Sequence, residues 1–234
     1  AIKLQKAGNY GWFGGGFSFP TYYSRVDRID FSNDSSTASV RGPLTSGRYN
    51  PAATGNSNYG WFGGGQIPGS VVSTVDRINF ANDTGTANIS SRLSLARKNL
   101  AATGNSNYGW FGGGSLSPGI PAFSTVDRID FSNDYSTASV RGPLSLARSG
   151  LAATGNSNYG WFGGGIVVPG TYHSIVDRID FSNDNLIASP RSPLSRARNF
   201  LSATGNSNYG WFGGGVTPTT VSTVDRIDFS NDSS

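Results

Sequence analysis

The stretch Ala102-Thr-Gly-Asn-Ser-Asn-Tyr-Gly-Trp-Phe-Gly-Gly-Gly114 decides the fold, because the same thirteen residues also begin at Ala53, Ala153 and Ala203. A fifth copy of its second half, Tyr10 to Gly16, lies near the start of the chain. The tryptophans therefore fall at 12, 61, 110, 161 and 211, with spacings of 49, 49, 51 and 50. A second block, Val-Asp-Arg-Ile-Asp/Asn-Phe, follows each copy, at Val26, Val75, Val126, Val176 and Val224. A fixed period near fifty residues is the mark of a repeat architecture.

Each unit reads as four short strands, a to d. Strand a is Leu100 to Thr103 in the third copy. Gly104, Asn105, Ser106 and Asn107 follow, and Gly and Asn supply turn chemistry because they tolerate positive φ. Strand b is Tyr108 to Phe111, ended by three glycines. Strand c, Ser124 to Phe131, alternates with period two. In the first copy that alternation sends Asp27, Ile29 and Phe31 to one face and Val26, Arg28 and Asp30 to the other. Strand d is Thr137 to Arg141, and the following Gly-Pro-Leu cannot continue a central strand.

Four short antiparallel strands per unit, repeated five times, describe an all-β, five-bladed β-propeller. The expected blades run approximately 1–47, 48–96, 97–147, 148–197 and 198–234, in a single domain. The last blade lacks its outer strand. A single blade cannot bury both faces, whereas a ring of blades can. Trp12 and its counterparts are expected in the core between blades, since large aromatics dominate burial. The ring is expected to close by packing of blade five on blade one. The linker arginines Arg48, Arg97, Arg148 and Arg198 are the expected partners of the strand c aspartates, because buried charges need partners.

Composition agrees. The 234 residues include 33 Gly, all 14 acidic residues are Asp, and lysine occurs only at 3, 6 and 98. A chain without Glu and almost without Lys lacks the residues that build helix surfaces. There is no Cys, which excludes thiol chemistry and Cys-ligated metals. The net charge of +4 includes no run of Lys or Arg, so nucleic acid is not an expected partner. No apolar stretch is long enough to span a membrane, and Ala-Ile-Lys-Leu-Gln-Lys has no apolar signal core. Ala1 reads as what remains once an initiator Met is removed, in a whole product made in the cytoplasm.

The strand–turn–aromatic strand pattern, its glycine doublet and the upstream Ala-Arg pairs (Ala96-Arg97, Ala147-Arg148, Ala197-Arg198) resemble the kelch repeat. The pattern departs from kelch in strand d, which lacks the usual Trp, while a Trp sits in strand b. The uniform Asn-Tyr-Gly-Trp-Phe-Gly-Gly-Gly and Val-Asp-Arg-Ile-Asp-Phe-Ser-Asn-Asp blocks also resemble repeat arrays in virion structural proteins of bacteriophages infecting marine cyanobacteria. That resemblance implies a virion component such as a capsid or tail appendage, located on the particle; otherwise the chain is expected to be soluble.

The copies differ mainly between the glycine triplet and strand c, so all five b–c loops are expected on one rim, where recognition usually sits. They carry Phe17, Phe19, Tyr22, Tyr23, Phe123, Tyr172 and His173 as the candidate ligand-binding residues. Aromatics on a rim either anchor a protein contact or stack on sugars. His173 is the only histidine, so no triad or metal site can be assembled around it. Asp30, Asn33 and Asp34 carry oxygen ligands, but an Asx-turn accounts for them without an ion. No enzyme activity, cofactor or metal is expected. The expected partners are virion or surface proteins, with host glycans as the alternative, and strand pairing at the unfinished edge of blade five.

Overall fold

The computed structural model describes residues 2–3, 8–116, 121–167 and 170–233. Five antiparallel sheets are arranged as a five-bladed β-propeller. The third is typical. Strand a (Ala101–Gly104), b (Tyr108–Gly112), c (Val126–Asp130) and d (Ser139–Arg141) pair in chain order. Trp110 stands opposite Thr103 on one side and Arg128 on the other. Strands a of blades two to five lie against one another, which puts them innermost. The fifth sheet has three strands, ending at Val224–Asp228. The expected strand limits hold to within two residues.

The turns explain why these residues form these hairpins. Asn105 Oδ1 accepts from the N–H groups of Asn107 and Tyr108, so one side chain satisfies both turn amides. Gly113 has φ +71, and a Cβ there would stand 2.7 Å from the Arg148 carbonyl oxygen. The second glycine of the triplet is thus needed both for its backbone and for the linker that crosses it. The first, Gly112, seats the Phe162 ring of the next blade, whose Cε1 would be 2.8 Å from a Cβ.

The core lies between blades, not within them. Trp12, Val26 and Leu44 of blade one meet Ala53, Phe62, Ile78 and Ala87 of blade two. Three further clusters repeat this between blades two and three, three and four, and four and five. The period-two reading of strand c is observed: Val126 joins the cluster toward blade four and Ile129 the cluster toward blade two. Trp12, Trp61, Trp110 and Trp161 are no more than 1% exposed, as core residues should be.

Among the described residues, the expected packing of blade five on blade one is not found. Trp211 is only half-buried, and Val224 is 62% exposed where its four counterparts are fully covered. The physical reason is geometric. The four built steps repeat one contact geometry, and a ring closes only if a fifth contact of that kind covers the last face; Trp211 and Val224 show that face uncovered among the described residues.

Candidate functional site

The b–c loops of blades one, two, four and five form short hairpins beyond the glycine triplets. In blade one Phe17–Ser18 pairs with Thr21–Tyr22, and in blade four Ile166–Val167 pairs with Thr171–Tyr172. Each linker runs beside the hairpin of the following blade, as where Tyr49 bridges Gln66 and Ser149 bridges Ile166. This fixes the rim to the scaffold.

The structure brings three of the seven candidate residues together. The Phe17 ring lies 4.8 Å from Tyr22 and 6.5 Å from Phe19, and 5.5 Å from Tyr49 on the linker. Phe19 is 89% exposed and Phe17 40%. Four aromatic rings on one hairpin and its neighbouring linker make a rigid apolar patch. Tyr49 escaped the sequence reading. The available signal was its position: the matching residues in the other linkers are Lys98, Ser149 and Asn199.

Tyr23, Phe123, Tyr172 and His173 stay apart from this patch. Tyr23, Phe123 and His173 hold the same place in three blades, where each main-chain N–H donates to a triplet glycine carbonyl. Each carbonyl there accepts from the linker arginine N–H. Burial, with Arg148 as the second cause, holds the His173 imidazole below its ordinary pKa.

The axis offers different chemistry. A cavity there is lined by inner-strand residues such as Thr54, Thr103 and Thr154, and by turn residues such as Asn105 and Ser106. Among the described residues its lining carries no titratable side chain, so these offer hydrogen bonds without an acid or a base. Among the described residues there is no group of three or more His, Cys, Asp or Glu able to hold a metal ion. Asp30 Oδ1 accepts from the Ser32 N–H at 2.9 Å and its hydroxyl at 2.6 Å, which is the Asx-turn arrangement. The Ser32 hydroxyl, then its amide, hold the Asp30 carboxyl below the usual aspartate value.

The charged residues that matter most are structural. Arg97 meets Asp127 at 2.8 Å, and both side chains have no exposed surface. The pairs Arg48–Asp76 and Arg148–Asp177 repeat this, and Arg198 pairs with Asp225, whose side chain is 16% exposed, as expected from the linkers. A second set was not foreseen. Asp83, Asp134, Asp184 and Asp232, each the last residue of an Asn-Asp turn, accept from the tryptophan Nε1 of the preceding blade at 2.7–2.9 Å. The same carboxylates bind strand c arginines Arg28, Arg77, Arg128 and Arg178 at 3.0–3.1 Å. Their identical recurrence was the signal, but a turn aspartate reads first as a turn residue.

No protein-family model and no curated protein matches this chain.

Proposed function

We propose that the chain is a non-enzymatic adhesive propeller, a surface or tail-appendage component of a virus particle, that presents its blade-one rim to a protein partner. The observation that carries this is the patch of Phe17, Phe19, Tyr22 and Tyr49. Exposed aromatics held in a fixed geometry are the residues that supply most interface energy. They lose little side-chain entropy when covered, because the hairpin already orders them. The propeller fold is compatible with a binding or structural role of this kind. The particle setting rests on the likeness of the repeat blocks to virion arrays. With one histidine in the sequence, no histidine-dependent nucleophile–base set is assembled.

The test is competition. Purified particles should contain the chain at fixed stoichiometry, and added full chain should block their attachment to host cells. The Phe19→Ala and Tyr22→Ala chains should lose that block with an unchanged unfolding midpoint. Full blocking by both variants would overturn the reading. Binding to defined sugars on a glycan array, lost on Tyr22→Ala or Tyr172→Ala, would replace the protein partner with a glycan and make the module a lectin.

A further inference from the structure

Each of the four built interfaces has two unlike halves. The leading blade gives a tryptophan and an arginine; the following blade gives a phenylalanine and an aspartate. Trp161 stacks on Phe229 at 3.8 Å, donates to Asp232, and Arg178 pairs with that same carboxylate. The other three steps repeat this, with ring separations of 3.8–3.9 Å.

One half of each kind is left over. On blade five Trp211 is half-buried, and Arg226 is exposed, stacks on its own Tyr209 at 4.6 Å and acts on Asp228 of its own strand, whereas Arg28, Arg77, Arg128 and Arg178 each pair with a carboxylate of the following blade. No phenylalanine covers Gly213, although Phe62, Phe111, Phe162 and Phe212 cover its four counterparts. On blade one Phe31 is 40% exposed, and Asp34 is exposed where its counterparts are buried. Phe13 is half-buried where its counterparts have no exposed surface.

Blade one is also adapted in charge. Asp27 pairs with Arg25 of its own strand at 2.7 Å, whereas Asp76, Asp127, Asp177 and Asp225 each take a linker arginine. Arginine at that place occurs only in unit one; the others have Thr74, Thr125, Ile175 and Thr223. This face therefore asks a partner for one indole and one guanidinium, and Trp211 and Arg226 are those groups.

We infer that the Trp211–Arg226 face of blade five docks on the Phe31–Asp34 face of blade one in a second copy of this chain, as a fifth instance of the blade-to-blade contact. Joining the two faces within one chain would change the angle at four interfaces that are already close-packed. A second copy leaves all four untouched. The contact is head-to-tail, so each dimer keeps one free face of each kind and further copies can add.

Sedimentation of the full chain over a concentration series tests this. The mass should rise beyond one chain with concentration. Trp211→Ala and Phe31→Ala should each weaken association by about tenfold or more, as loss of a central aromatic does. Each variant blocks a different face, so mixing them should give a species that stops at two chains. Thermal unfolding checks that both variants fold; if either does not, Arg226→Ala and Asp34→Asn, both at exposed positions, replace them in the same mixing experiment. A single-chain mass at every concentration would overturn the inference. So would oligomers indifferent to both variants, or a mixture that forms no dimer.

Discussion

Arg97 and Asp127 form an ion pair with no exposed surface, and neighbouring main-chain groups hydrogen-bond to each partner. The Ser94 N–H donates to Asp127 at 3.0 Å, and Arg97 donates to the Phe111 carbonyl. Burial pulls the Arg97 pKa down while Asp127 pushes it back up. Removing one partner leaves an uncompensated buried charge, so Asp127→Ala should cost ~3–5 kcal/mol in denaturant unfolding. The double change to Arg97→Met and Asp127→Leu should cost clearly less, because neither charge then remains. His173 gives a pH test. Its imidazole holds a proton less readily in the folded chain than in the unfolded one. The unfolded state therefore gains protons first as pH falls, and stability drops as pH moves down through the unfolded value of about 6.5 toward the lower folded one. A pH series of unfolding midpoints should show this decline, and His173→Gln should flatten it.

At the level of strands and turns, repetition exposes which positions are demanding. Asn50, Asn99, Gly150 and Phe200 occupy the same linker site with φ from +51 to +67. Asn and Gly adopt that backbone readily, but Phe does so only under strain, and Phe200 is 55% exposed. Phe200→Asn should therefore stabilise the chain by roughly 1 kcal/mol, read as a raised unfolding midpoint. Gly63 faces the opposite demand, since a Cβ there would lie 2.8 Å from the Phe111 ring. Gly63→Ala should cost ~1–3 kcal/mol by forcing that ring off its seat. The strand order and the faces of strand c were legible in the sequence, because alternation and turn residues are local properties. The Asn-Asp carboxylates were not, because their partners Trp61 and Asp134 are 73 residues apart.

For the whole molecule, five like units make four like interfaces. Trp161→Ala should cost ~3–5 kcal/mol, as the loss of a fully buried indole with a stacked partner does. Trp211→Ala should cost the single chain less, because that side chain is only partly buried and has no stacked phenylalanine from a following blade among the described residues. Equal losses of stability would mean that the fifth seam is packed in solution. The candidate site divides in the same way. Phe17, Phe19 and Tyr22 could be chosen from the sequence as variable rim aromatics. That they meet one another and Tyr49 depends on how linkers lie against hairpins.

The sequence alone determined the repeat, the four-strand unit, the inter-blade place of the tryptophans and the pairing of linker arginines with strand c aspartates. These follow from period, alternation and the need of a buried charge for a partner, all of which one unit displays. Only the tertiary structure decided whether the last blade meets the first, because closure depends on an angle summed over four interfaces. A small change in that angle is invisible in any single unit, and it separates a sealed ring from one with two matching open faces.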